Sequence, residues 1–323
     1  MLTTSISCRA GVSSAALLLA LIACNDDTSS RSDAARVAGP SPTQPSFAKG
    51  GPNKSGSQGR IAFIGSNNHL RTMRPDGTDL VELVSANAIE DYEPAWSPDY
   101  KKIVFTSNRG GSRNIFIANA DMTGLMQLTS GLWAINPSFS PDGSKIVFAT
   151  ATLSGNGDIW TKDLATGATR QLTTDPAADA GPKWSPDGTR IAFTSYRSGE
   201  SEVYIMNADG TNQTRLTYCG VGCGQPDWSP NGKSLAFDGQ VFGATVFTVS
   251  LSDPGRYIPV TSADLVLNAW SRGASWSPDG NRLAFTSFRN GRRDVYTANP
   301  DGTGLVAVTA ALPSGSSDPA WSW

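Results

Sequence analysis

From residue 60 the chain alternates short apolar runs with turn residues, and the alternation recurs. One run reads Ile61-Ala62-Phe63, Ile103-Val104-Phe105, Ile146-Val147-Phe148, Ile191-Ala192-Phe193, Leu235-Ala236-Phe237 and Leu283-Ala284-Phe285. A second sets an aromatic between strand formers: Ile115-Phe116-Ile117, Ile159-Trp160-Thr161, Val203-Tyr204-Ile205, Val246-Phe247-Thr248 and Val295-Tyr296-Thr297. Leu70-Arg71-Thr72-Met73 is the degenerate first copy. A short run closes each unit, as in Leu128-Thr129, Leu172-Thr173, Leu216-Thr217 and Val308-Thr309. Strand formers broken by turn residues predict short antiparallel strands.

A further strand leads into a tag: WSPDY at 96–100, FSPDG at 139–143, WSPDG at 184–188, WSPNG at 228–232, WSPDG at 276–280, and a truncated Trp321-Ser322. Successive tags lie 43, 45, 44, 48 and 45 residues apart. That period is expected of a four-stranded propeller blade. Proline presets φ in these turns and glycine takes the positive φ that a hairpin needs. Asp-Gly recurs after the third strand at Asp76-Gly77, Asp209-Gly210 and Asp301-Gly302, which reads as turn geometry; a calcium loop would bring a denser run of oxygen ligands.

Strand counting predicts closure. The first repeat starts at its second strand near Arg60, and Asp318–Trp323 is a first strand with nothing after it. Together they make one blade, so the expected fold is an all-β, six-bladed β-propeller over 60–323. Its C-terminal strand pairs with the N-terminal three, with Trp321 and Trp323 buried at the seam. Closure removes unpaired edges. These repeats resemble the PD40 (WD40-like) repeats of TolB-type six-bladed propellers, and the resemblance covers the whole repeating part. It implies a fold; it does not carry a function. No TolB-like N-terminal α/β domain is expected before the repeats, so TolB partners do not transfer.

Residues 1–23 carry Arg9 and the apolar run Ala15–Ala23, too short to span a bilayer and of signal-peptide size. The run ends in Leu21-Ile22-Ala23-Cys24, similar to a bacterial lipobox, so Cys24 is the expected lipidation site. Residues 24–59 are rich in Ser, Pro, Gly and Asp and read as a flexible tether. The expected location is the bacterial cell envelope, lipid-anchored, with Asn25 after the cysteine favouring the outer membrane.

Composition narrows the chemistry. Net charge is −2, which gives no electrostatic footprint for nucleic acid. The two cysteines remaining after Cys8 and Cys24, Cys219 and Cys223, share the loop YCGVGCGQ, and an exported chain makes a disulfide there the default. Zinc would need more ligands than this chain, with His69 its one histidine, puts near them. No nucleophile elbow, P-loop or dinucleotide fingerprint occurs, so no catalytic residue, metal ligand or cofactor is assigned.

Strand parity puts the short Pro-Asp-Gly and Asp-Gly turns on one face of the ring. The longer, varied connections (86–93, 131–136, 175–181, 218–225, 262–273, 310–317) fall on the other, where recognition is expected. Candidates there are Asp91, Tyr92 and Glu93 as an acidic-aromatic cluster, and Trp133, Tyr218 and Trp270 as aromatics outside the repeat. Arg109, Arg197 and Arg289 recur in Ser-x-Arg sequences, reading as salt bridges between blades or as a ring that binds anions. The expected function is a monomeric, non-catalytic binding or scaffold lipoprotein that recognises an envelope protein or glycan. The alternative is a propeller hydrolase or lyase acting on a carbohydrate.

Overall fold

The computed structural model describes residues 36–37, 59–83, 90–131, 133–151, 156–240, 245–261, 270–289, 291–313 and 315–322. The signal segment, Cys24 and Trp323 lie outside the described residues. Six antiparallel sheets form a ring. The first strand of each packs against the first strands of its neighbours around a central channel. These inner strands are Ser316–Trp321 in blade 1, Asp91–Trp96 in blade 2, Trp133–Phe139 in blade 3, Asp179–Trp184 in blade 4, Cys223–Trp228 in blade 5 and Ser271–Trp276 in blade 6. Among the described residues there is no helix, hence none long and apolar enough to cross a membrane.

The seam forms as the strand count expects. Ser316–Trp321 pairs antiparallel with Ile61–Gly65, with Ile61 opposite Trp321. Leu70–Met73 and Val81–Glu82 complete blade 1. The tag explains how a chain break is tolerated there. In each intact tag the serine hydroxyl donates to the acid or amide two residues on and accepts the N–H five residues on, as with Ser97, Asp99 and Lys102. The same bonding at Ser140 and Ser144 pulls the Asp142 carboxyl down to about 2. At the seam Ser322 accepts the Arg60 N–H at 2.6 Å and returns its own N–H to Arg60 O at 2.8 Å. Two chain segments thus reproduce what one tag does elsewhere.

Second strands form the core: Ile61, Phe63, Ile103, Phe105, Ile191, Phe193, Leu235 and Phe237 are fully buried. Third-strand aromatics pair with them, for example Phe105 with Phe116 and Phe237 with Phe247. In the degenerate first blade Arg71 stands opposite Phe63 instead. The closing threonine of the second to sixth repeats also has a physical role. Thr129, Thr173, Thr217, Thr261 and Thr309 each accept a third-strand N–H with their hydroxyl, satisfying a donor buried between strands. The Asp-Gly turns use their carboxylates locally: Asp76, Asp209 and Asp301 each accept both the N–H and the hydroxyl of a threonine two residues on.

Blade 5 differs at its rim. Its outer strand, Asp253–Pro259, is longer than the two or three residues of the other outer strands, and Arg36–Val37 pairs with it in parallel. Within the stretch read as a tether, that pair and Gly59 are the described residues.

Candidate binding face

The inner strands start earlier than their sequence suggests. Asp91–Glu93, read above as part of a connection, already belongs to the inner strand of blade 2, as Trp133–Asn136 does in blade 3. The cause is a bulge in every inner strand. Glu93, Asn136, Gln225 and Asp318 have φ between 52° and 54°, and Gly181 and Gly273 take the same left-handed conformation. Five of these six precede a proline, and each ladder skips at that point. Proline has no N–H to give to a ladder, and a bulge is where a strand tolerates it. The bulged N–H turns instead to the adjacent blade: Gln225 to Thr194 Oγ1 at 2.8 Å, Asp318 to Thr286 Oγ1 at 3.0 Å, Gly273 to the Asp238 carboxylate at 2.9 Å, and Asn136 to Glu93 Oε2 at 2.7 Å.

This bulge ring gathers three carboxylates near the loop-side end of the channel, Glu93 from blade 2, Asp318 from blade 1 and Asp238 from blade 5. Each keeps some contact with solvent yet is crowded by protein on nearly all sides. Crowding disfavours the charged form. Burial pushes Asp238 up to about 7, against the pull of the Gly273 N–H and Arg272, with the Asp318 charge adding to the rise. Glu93 and Asp318 are raised for the same first reason; Asp318 repels Glu93, while Arg272 and Arg293 oppose the rise at Asp318. A Cβ built on Gly273 would meet nothing within 4 Å, so blade 6 leaves open space between Asp238 and Asp318.

The mouth is rimmed by aromatic side chains paired with cations. The Arg113 guanidinium lies 4.8 Å from the Tyr92 ring, and the Tyr92 hydroxyl donates to Glu90. Trp270 stacks on Phe288 with centroids 5.8 Å apart and 4° between planes, and Arg272 covers the Trp270 ring at 5.0 Å. Arg215 sits 4.3 Å from the Tyr218 ring, above the loop closed by the Cys219–Cys223 disulfide. Trp133 is 46% exposed, Tyr196 48% and Tyr218 50%. Tyr196 and Phe288 escaped the sequence reading; each is the middle residue of a Ser-x-Arg sequence, a position whose exposure the motif itself could have signalled.

Other candidates move inward. Asp91 is buried, and Arg109 donates to it at 2.7 Å and to Ser107, with its guanidinium over Phe105 and Phe116. Arg197 repeats this with Asp179 at 2.9 Å, Ser195 and Tyr204. Arg289 donates to Ser287 and covers Tyr296. For Arg109 and Arg197, the expectation of bridges between blades is therefore corrected: acid and arginine belong to one blade, because the first and second strands of a blade are hairpin partners. His69 lies on the edge of blade 1, its Nδ1 2.9 Å from Glu82 Oε1. Among the described residues, one trio of His, Cys, Asp or Glu lies at metal-binding distances, Glu202 with Cys219 and Cys223. Its two sulfurs are bonded to each other, and Glu202 accepts hydrogen bonds from Arg215 and the Cys219 N–H.

Comparison with known proteins places this geometry. Residues 129–262 match the TolB beta propeller domain, PD40. A TolB homolog of Chlorobaculum tepidum is 32% identical over 140 residues, which is 43% of this chain and 30% of that protein. The uncharacterized peptidase YuxL of Bacillus subtilis is 31% identical over 213 residues, 58% of this chain and 30% of that protein. The chain thus spans about a third of the length of the curated relatives it matches. The crystal structure of TolB from Acinetobacter baumannii superposes with a TM-score of 0.70 at 24% identity, covering 82% of this chain and 66% of that one. The repeating part of the chain is a six-bladed β-propeller, and its residues 129–262 are similar to the TolB beta propeller domain of PD40 repeats.

Proposed function

We propose that this protein is a lipid-anchored binding protein of the bacterial cell envelope that recognises a protein or glycan through the loop face. One observation carries the reading. The exposed aromatic residues of the described chain, Trp133, Tyr196, Tyr218 and Phe288, all lie on the loop face, whereas the aromatics of the strand repeats are buried or half-buried. Exposed aromatics cost solubility and are anchors for partners and for sugar rings. The adjoining cations and channel carboxylates supply the polar contacts that fix orientation. The anchor is Cys24, and the propeller acts as a monomer without a cofactor.

The reading is tested by photo-crosslinking in intact cells. A crosslinker replacing Trp133 or Tyr196 captures a discrete adduct, whereas one replacing Thr189 on the opposite face does not. The same adducts from both faces, or none from the loop face, would count against it.

A second reading rests on the raised carboxylates. A carboxyl titrating near neutrality can act as a general acid, so a hydrolase or lyase acting on a carbohydrate is the alternative. It requires turnover of envelope oligosaccharides that is lost in Asp238→Asn.

A further inference from the structure

Each inner strand carries one residue just before its tag aromatic. From blade 1 to blade 6 these are Ala320, Ala95, Ser138, Lys183, Asp227 and Ser275. All six line one cavity of about 250 Å³ at the tag-side end of the channel, away from the loop face. Its walls are tag prolines and the tag aromatics Trp96, Phe139, Trp184 and Trp321. Four of the six positions hold alanine or serine. Lys183 and Asp227 break that pattern, and they do so in adjacent blades.

The fold accounts for serine at this position and does not require a charge. Ser275 Oγ accepts the Trp321 N–H of the next blade at 3.0 Å. Asp227 Oδ2 accepts the Trp276 N–H in the same way at 2.9 Å. A neutral hydroxyl thus suffices for the contact, whereas a carboxylate buried there costs free energy unless a cation faces it. Burial pushes Asp227 up to about 6, and Lys183 pulls against the rise. The two charges feel each other without meeting: among the described residues, no carboxylate comes within 4.0 Å of the Lys183 ammonium.

Opposite charges held apart in a small aromatic cavity match a ligand that bears both charges and an apolar body. The volume lies below the roughly 300–1,000 Å³ of sites that take drug-sized ligands, so the occupant is small. An α-amino acid carries its ammonium and carboxylate on one carbon, which lets both reach adjacent blades. We propose that this cavity binds a free aliphatic or aromatic α-amino acid, its carboxylate on Lys183, its ammonium on Asp227 and its side chain against Trp96, Phe139 and Trp321. The site is separate from the loop face and does not rest on the reading given to that face.

Calorimetric titration of the full chain with L-leucine and L-phenylalanine tests the proposal, at about pH 8, where Asp227 is ionised. At least one of the two should bind. Its N-acetyl derivative, without the ammonium, and its amide, without the carboxylate, should each bind about tenfold or more weaker. Lys183→Ala and Asp227→Ser should weaken the parent amino acid by a similar factor. Both variants install a residue that other blades use at this position, and serine keeps an acceptor for the Trp276 N–H. No binding of either amino acid up to about 10 mM would overturn the proposal. Equal binding of the capped derivatives would show that the ligand is not a zwitterion, and equal binding by both variants would put the amino acid elsewhere; either result overturns it. An Asp227→Ser chain that fails to fold would make the acid structural and remove it as a ligand group.

Discussion

The backbone N–H of Asn136 donates to the Glu93 carboxylate across the boundary between two blades, at 2.7 Å, while Thr106 donates to the same oxygen at 2.9 Å. In blade 4 the threonine acts directly, Thr194 accepting the Gln225 N–H. These contacts satisfy donors that the bulges release from their ladders. Thr194→Val keeps the shape and orphans a donor, which should cost about 1–3 kcal/mol in denaturant unfolding. No loss would mean that the bulge donors do not need the neighbouring blade.

Gln225 adopts φ 54° with an exposed side chain, where the same ring has glycine at 181 and 273. A residue with a Cβ in this region is strained by roughly 1–2 kcal/mol. Gln225→Gly should therefore raise stability by up to about 1 kcal/mol, the gain being reduced by the looser unfolded chain. A marked loss of stability would show that the Gln225 side chain makes a contact of value.

The buried pair of Arg197 with Asp179 predicts an asymmetric result. Asp179→Ala leaves a covered guanidinium with only Asp175, at 3.9 Å, as its acid and should cost about 2–4 kcal/mol in thermal unfolding. Losing less than ~1 kcal/mol would return Arg197 to the pool of cations available to a ligand.

Much of this was legible because the tag is self-contained. Serine, acid and the following N–H close a turn among themselves, so the motif survives any neighbour and announces each blade. The seam was legible for the same reason, since Ser322 and Arg60 repeat that bonding. The bulges are visible as residue-before-proline at 93, 136, 181, 225 and 318, but the sequence pattern starts the inner strand at the proline, whereas in blades 2 to 5 the strand begins three or four residues before it. Arg109 and Arg197 were separable from an interblade role by spacing, each standing eighteen residues after its acid, within one hairpin. Asp238 occupies the column that holds Thr106, Thr194 and Thr286 in other blades, a visible substitution. That it meets Asp318 across glycine-bearing blade 6 follows from the ring, which no local pattern encodes.

Asp238 makes stability depend on pH. Its folded value of about 7 lies above the ordinary 3.8, so the folded chain holds this proton longer than the unfolded one. The associated stability is full below about pH 4 and is lost as pH rises through 7. With allowance for solvent in the channel, the difference between pH 4.5 and 8 is on the order of 2 kcal/mol. Asp238→Asn should flatten that slope; an unchanged slope would remove Asp238 as its source.

The seam carries the fold. Trp321 is buried, and Trp321→Ala should cost about 3–5 kcal/mol, enough to threaten a domain of ordinary stability. An unchanged melting temperature would mean that blade 1 closes without it.

Capture from envelope extract addresses recognition most directly. The full chain is compared with a triple variant, Tyr92→Ala with Trp133→Ala and Trp270→Ala, and with Val81→Ser on the opposite side as control. The account predicts a ligand held by the parent and the control and reduced about tenfold or more in the triple variant, the loss expected when anchoring aromatics are truncated. Equal capture by all three chains would contradict it.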